Sequence, residues 1–147
     1  MIELLPLPHE LYPRVFELEP GEVDYGDWLQ LVSTYANFGI YKDESFAGYL
    51  GLEQVDTTTI GIHVSLERKR LLPFETRRIV IESGIHLFNQ GVELLTTVHP
   101  TTNRPACRLA KSCGMPLENL IIRNGLPHCN HTLPKTDYQA NPQQWEI

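Results

Sequence analysis

Five of the twelve Lys and Arg residues of this chain fall within eleven consecutive positions. They are Arg68, Lys69, Arg70, Arg77 and Arg78. Such a cluster attracts anions, and guanidinium groups can hold phosphate oxygens through paired hydrogen bonds. Runs of like charge are also common on solvated surfaces. The residues therefore suggest either an anion site or the solvated start of a helix.

A second group of reactive side chains is the run from His128 to His131, which with one of the other two cysteines could ligate a metal. The three cysteines are odd in number and form no C-x-x-C pair, which is typical of a reducing compartment and of neither a disulfide framework nor a zinc ribbon. Structural zinc usually needs four convergent ligands at recognisable spacings. The sequence thus predicts no metal, and favours a strand with His128 and Asn130 on one face, and Cys129 and His131 on the other.

Composition narrows the class of protein. A chain of 147 residues with 41% hydrophobic and 20% charged residues suits one folded domain spanning residues 1–147. The net charge of −6 argues against broad electrostatic binding to nucleic acid or to an anionic membrane. The sequence has no apolar run long enough for a membrane helix and no recognisable secretory signal, so we expect an intracellular, cytoplasmic protein.

Hydrophobic periodicity and turn residues predict the elements that would position these side chains. In order, they are helices over residues 8–19 and 26–35, strands over 38–41, 46–55 and 57–65, a helix over 74–90, a strand over 92–99, a helix over 104–113, and strands over 117–123 and 126–133. Gly26 or Asp27 would cap the second helix. Asn124-Gly125 is a strong hairpin signal. Residues 134–147 read as a polar tail that lies on the surface or frays.

This order predicts an α+β fold with a mixed, mostly antiparallel sheet flanked by helices. The most specific part is the segment 92–115, in which a strand ends at Pro100, a helix follows and Gly114 ends that helix. Five positions match, in register, the pattern Asn-x-x-Ala-x-x-Leu-Tyr-x-x-x-Gly-Phe: Asn103, Ala106, Leu109, Gly114 and Met115. With the element order, this segment resembles the GCN5-related N-acetyltransferase (GNAT) superfamily.

The resemblance implies that acetyl-CoA binds where the fourth and fifth strands part. The cofactor-binding residues that it implies are Val64, Arg68, Lys69, Arg70 and Asn103. The phosphate motif of the family, [Gln/Arg]-x-x-Gly-x-[Gly/Ala], falls on residues 68–73, where Leu71 and Pro73 replace the small residues. Pro73 also lacks a backbone N–H. The alternative role for Asn103 is that of a helix cap.

The resemblance also implies a general base on or near the fourth strand, where Glu53, Asp56 and His63 are the candidates. We take His63 and Glu53 as the catalytic residues, because imidazole titrates near neutral pH. His99, just before Pro100, is a further candidate. The tyrosine that commonly protonates the departing thiolate in this family falls on Ala110, which cannot donate a proton.

Two functions follow from these observations. The first is an acyl-CoA-dependent N-acyltransferase acting on an amine acceptor. The second is a non-catalytic GNAT-fold protein that works through protein contacts, since some tailed-phage head-assembly or internal virion proteins resemble such degenerate acetyltransferases. The second function would make the chain virion-associated. Loss of the phosphate motif favours the second, and the common use of the fold favours the first.

Overall fold

The computed structural model describes residues 1–18 and 23–142. Its elements, in order, are β1 (Ile2–Pro6), a short 3-10 helix (His9–Leu11), α1 (Tyr12–Leu18), α2 (Tyr25–Val32), β2 (Ala36–Lys42), β3 (Ser45–Gln54), β4 (Thr59–Leu66), α3 (Pro73–Asn89), β5 (Leu94–Pro100), α4 (Arg104–Ser112), β6 (Leu117–Arg123), β7 (Leu126–Pro134) and α5 (Lys135–Ala140). Within this described part of the chain, the helices are too short or too polar to cross a membrane.

The seven strands form a sheet in the order β1-β2-β3-β4-β5-β7-β6. One pair, β4 with β5, is parallel over Thr59–Gly61 and Leu94–Thr96. The pairs β1 with β2, β2 with β3, β5 with β7 and β6 with β7 are antiparallel. The predicted α+β fold class is therefore confirmed. Strand β1 was not predicted, because four of its five residues are exposed and it shows no buried alternation. Its pairing with β2 defines it as a strand.

The chain divides into two compact units, and β4 contributes to both. The first unit comprises Met1–Glu53 and Ile62–Leu72. Its core is formed by six buried side chains from the N-terminal segment, α1, α2 and β3: Leu7, Val15, Trp28, Val32, Phe46 and Tyr49. Gly48 of β3 lies so close to β4 that a Cβ atom there would come within 2.7 Å of the Ser65 carbonyl oxygen. Only glycine permits this approach of the two backbones.

The cap of α2 differs from the prediction. Asp24 is the N-cap residue, and its Oδ1 accepts a hydrogen bond of 2.8 Å from the backbone N–H of Asp27. Gly26 and Asp27, the predicted caps, lie inside the first turn. The reason is that a cap side chain must reach a free amide two or three residues further on, which Asp24 does.

The second unit comprises Gln54–Gly61 and the chain from Pro73 onward. It contains α3, β5, α4, β6, β7 and α5. Gly114 has a φ of +75° at the end of α4, as predicted. The turn between β6 and β7 consists of Asn124 and Gly125, both with positive φ, which confirms the predicted hairpin.

The predicted polar tail contains a helix. In α5, the ring of Tyr138 stacks on Phe88 with centroids 5.2 Å apart, and the Lys135 N–H donates to the carbonyl of Glu93. Sequence periodicity could not indicate a six-residue helix that packs an aromatic ring against a residue fifty positions away. The remainder of the tail, residues 143–147, lies outside the described residues.

Candidate functional site

The two predicted catalytic residues lie together in the first unit. His63 on β4 and Glu53 near the end of β3 are in contact, with His63 Nε2 and Glu53 Oε1 2.9 Å apart. Both side chains are partly accessible, at 24% and 30%. The ring of Tyr35 stacks on the imidazole at a centroid distance of 5.1 Å and an interplanar angle of 7°. The stacking restrains the orientation of the imidazole. We call this the His63–Glu53 pair.

The protonation of this pair follows from its hydrogen bond. An ionised carboxylate only accepts, so Nε2 of His63 carries the proton that it donates to Glu53. In a neutral imidazole, the other ring nitrogen, Nδ1, then holds the lone pair. Nδ1 is thus the ring nitrogen at which a proton can be taken up. The arrangement is therefore suited to accepting a proton.

Asp56, the other carboxylate considered near the fourth strand, has a different role. Its Oδ1 accepts a hydrogen bond of 2.9 Å from the backbone N–H of Thr58. Backbone hydrogen bonding from Thr58 is the main cause that lowers the pKa of this carboxyl group. Such a bond stabilises the turn between β3 and β4. The role of Asp56 is therefore to stabilise the turn between β3 and β4.

The three predicted phosphate-binding cations form a basic segment, Arg68–Arg70, in the turn that follows β4. All three residues are exposed. Lys69 has a φ of +64°, and the N–H of Arg70 donates to the carbonyl of Glu67. The carboxylate of Glu67 contacts Arg14. The segment thus presents three cations on a tight turn, and Val64 precedes it, half-buried, on β4.

The other two cations of the sequence cluster are used structurally. Arg77 Nε donates to the carbonyl of Ser112 at 2.8 Å. Arg78 pairs with Glu82, one turn further along α3, at 3.0 Å. The anion-site interpretation is thereby restricted to Arg68–Arg70.

Asn103 caps α4. Its Oδ1 accepts a hydrogen bond of 3.3 Å from the N–H of Ala106, and Pro105 occupies the first turn. The alternative role considered for Asn103 is confirmed, and a cofactor contact stays a prediction. Ala110, at the position of the family's tyrosine, is 4% exposed, so this position offers neither a hydroxyl group nor open access.

A further constellation in the second unit was not predicted. His99 of β5, Cys107 of α4, and Cys129 and His131 of β7 each place one ligand atom within 4.8 Å of the others. We call these four residues the His/Cys cluster. The predicted alternation of β7 did place Cys129 and His131 on one face. The sequence does not reveal the register of β5 and β7, which pairs His99 with Cys129.

Burial shifts the pKa values of two members of the His/Cys cluster, His99 and Cys129. The pKa of His99 is lowered to about 4, chiefly by burial and then by His131 and His128, so its imidazole is neutral at neutral pH. Burial and the neighbouring Cys107 raise the pKa of the Cys129 thiol. With its low pKa and 7% exposure, His99 is a weak base with little access to a substrate, which makes it a poor candidate for the general base.

Comparison with known proteins identifies the fold. No family model matches the sequence, and no curated protein does either. Among solved structures, an aminoglycoside acetyltransferase bound to coenzyme A and kanamycin is similar with a TM-score of 0.75, 13% identity, and coverage of 97% of this chain and 99% of that one.

Two further acetyltransferase structures show the same likeness. Mutant forms of the spermidine/spermine N-acetyltransferase of Vibrio cholerae have a TM-score of 0.72, with 11% identity and coverage of 96% and 99% of the two chains. The ribosomal-protein-S18-alanine N-acetyltransferase of Escherichia coli has a TM-score of 0.71, with 15% identity and coverage of 91% and 94%. The chain therefore has the GNAT fold.

Proposed function

We propose that this protein is an acyl-CoA-dependent N-acyltransferase that transfers an acetyl group from acetyl-CoA to an amine. The observation that carries the proposal is the His63–Glu53 pair, a proton-accepting arrangement on a GNAT fold. Fold alone would not support an activity, because one fold hosts many functions. The similar structures include one with coenzyme A bound and others named for amine substrates.

In the proposed reaction, acetyl-CoA supplies a thioester whose carbonyl carbon is attacked by the amine. The amine, an ammonium ion at neutral pH, loses one proton before it attacks and a second as the C–N bond forms and the C–S bond breaks. Nδ1 of His63 takes up the first proton, and the carboxylate of Glu53 stabilises the resulting imidazolium; the second proton passes to solvent. The departing sulfur takes a proton from solvent, since Ala110 has none to give.

The proposed cofactor contacts are the residues that the family resemblance implies. Val64 would contact the pantetheine arm, and Arg68, Lys69 and Arg70 would bind the phosphates. The Asn103 amide would contact the cofactor while its Oδ1 caps α4. The three cations fit a phosphate ligand, whereas Leu71 and Pro73 do not reproduce the glycine-rich backbone of the family. Binding would thus depend on side-chain charge.

The alternative is a non-catalytic GNAT-fold protein that acts through protein contacts. The observations that favour it are the buried Ala110 and the start of α3 at Pro73, which lacks an N–H to offer a phosphate. A phage or virion role gains no support from the comparisons, whose similar structures are acetyltransferases.

An acetyl-transfer assay tests the proposal. The protein is incubated with acetyl-CoA and a panel of acceptors comprising spermidine, kanamycin and a peptide with a free N-terminal alanine. Release of the free CoA thiol is followed, and the acetylated amine is identified by mass spectrometry. We expect amine-dependent thiol release with at least one acceptor. Absence of both thiol release and acetyl-CoA binding would contradict the proposal.

A further inference from the structure

We propose that His99, Cys107, Cys129 and His131 bind a zinc ion. The site would be structural, closed by four protein ligands, and independent of the proposed transfer reaction. The sequence predicted no metal because the ligands show no recognisable spacing. Folding brings together four ligands that have no regular spacing in the sequence.

Three elements of the second unit contribute the ligands. His99 on β5 pairs directly with Cys129 on β7, so the two side chains share a face of the sheet. His131 lies two residues beyond Cys129 and therefore points to the same face. Cys107, in α4, completes the set, and its Sγ lies 3.3 Å from Nε2 of His99.

Two separations between ligand atoms are close to those of tetrahedral zinc, and all four atoms lie within 4.8 Å of one another. The two sulfur atoms, Sγ of Cys107 and Sγ of Cys129, are 3.7 Å apart. Two thiolates bound to zinc at about 2.3 Å in tetrahedral geometry would be about 3.8 Å apart. With a Zn–N distance of about 2.0–2.1 Å, the corresponding separation of sulfur and nitrogen is about 3.6 Å, near the observed 3.3 Å.

His131 provides an independent indication of a ligand. Its Nδ1 lies 3.0 Å from the backbone carbonyl of Met115, so Nδ1 carries the ring proton and Nε2 holds a lone pair. The residue is 1% exposed, and within the described residues Nε2 has no hydrogen-bond partner. A metal-binding histidine characteristically donates its other ring N–H to a carbonyl or carboxylate. Nε2 of His131 therefore has a lone pair that can bind a metal ion.

The donor set selects the ion. Two sulfur and two nitrogen donors in a tetrahedral arrangement are typical of zinc. As the Zn–S bonds form, the two thiols release their protons to solvent, and the two thiolates balance the charge of the ion. Four protein ligands leave no open position for a reacting water, which indicates a structural site. The ion would join α4 to β5 and β7.

Metal analysis of the untagged full chain tests the proposal. We expect the protein, purified without chelator, to contain close to one zinc ion per chain. Inductively coupled plasma mass spectrometry measures this ratio. Removal of zinc should lower the Tm, and zinc addition should restore it. Cobalt(II) in place of zinc should give intense tetrahedral d–d bands and a thiolate charge-transfer band. These signals report the ligands without any assay of activity.

Matched variants identify the ligands. We expect C107S and C129S to bind zinc more weakly than the unaltered chain. The loss should exceed the roughly 10–100-fold that follows when a residue hydrogen-bonded to a ligand is removed. The controls are C113A and H128Q, which change a buried cysteine and a buried histidine outside the His/Cys cluster and should retain the metal. If C129S fails to fold, the zinc affinity of C107S and the cobalt spectrum of the unaltered chain test the proposal.

Three results would overturn the proposal. One is the failure of the metal-free chain to take up zinc or cobalt. A second is a Cys107–Cys129 disulfide, detected by peptide mass spectrometry after alkylation without reduction, since the two sulfur atoms are close enough for oxidation to bring them together. The third is an equal loss of zinc in the control variants, which would place the metal elsewhere.

Discussion

Proton transfer in the proposed reaction depends on two side chains, His63 and Glu53, whose hydrogen-bonded atoms, Nε2 and Oε1, are 2.9 Å apart. The hydrogen bond to Glu53 and the stacked ring of Tyr35 fix the orientation of the imidazole. This orientation leaves Nδ1 as the lone-pair nitrogen of His63.

Replacing Glu53 by Gln tests the His63–Glu53 pair. Glutamine keeps the size of the side chain and its hydrogen bond to His63 but removes the charge that would stabilise the imidazolium. We expect kcat for acetyl transfer to fall by about 100-fold or more, the usual range for loss of general-base assistance. The matched control is E82Q, which removes an exposed carboxylate on α3 and should leave kcat unchanged. Equal rates for E53Q and the unaltered chain would exclude this role.

Two substitutions of Asn103 can separate its capping of α4 from its proposed contact with the cofactor. N103A removes the cap of α4, which should lower the free energy of unfolding by about 1 kcal/mol in urea titration. N103S retains a capping oxygen but loses the amide. If the amide contacts the cofactor, both variants should bind acetyl-CoA more weakly in calorimetry, while only N103A should be destabilised. Unchanged affinity in N103S would remove Asn103 from the proposed site.

At the scale of elements, the turn between β4 and α3 carries the basic segment and is followed by Leu71 and Pro73, where the resemblance would imply small residues. The basic segment offers side-chain charge in place of glycine-rich backbone amides. A site of this kind should be more sensitive to salt than one built from amides, because exposed charges are screened. Its contribution can therefore be measured by neutralising the charges.

The triple variant R68A/K69A/R70A provides that measurement. We expect its affinity for acetyl-CoA to fall about tenfold or more at low salt, which is equivalent to about 1.4 kcal/mol of binding free energy. The control, K42A/R123A/K135A, removes the same net charge at scattered positions and should bind nearly as well as the unaltered chain. An equal loss in the two triple variants would mean that only net charge matters, and the basic segment would not be a site.

Local signals explain which elements the sequence could predict. Gly114 and Asn124-Gly125 fix their turns through positive φ, a property of the residues themselves. The His63–Glu53 pair could be anticipated because both residues lie on predicted neighbouring strands. Strand β1, in contrast, is defined by its pairing with β2, and the His/Cys cluster depends on the register of β5 with β7. No local pattern encodes such long-range pairings.

At the scale of the whole molecule, the similarity to acetyltransferases extends over 97% of this chain at 13% identity. Such low identity transfers the fold and leaves the acceptor open. The net charge of −6 would favour encounter with a cationic amine and disfavour a polyanion. The expectation that residues 1–147 form a single domain stays a prediction, and the acceptor amine stays part of the proposal.

Binding of acetyl-CoA tests the central claim most directly, because it requires no knowledge of the acceptor. Isothermal titration of the full chain with acetyl-CoA at low salt should give saturable heat with one site per chain and a Kd within about 1 μM–1 mM, the usual range of enzyme substrates. The R68A/K69A/R70A variant should bind more weakly under the same conditions. Absence of binding heat at every temperature tested, with the chain folded, would contradict the proposal that this protein is an acyltransferase.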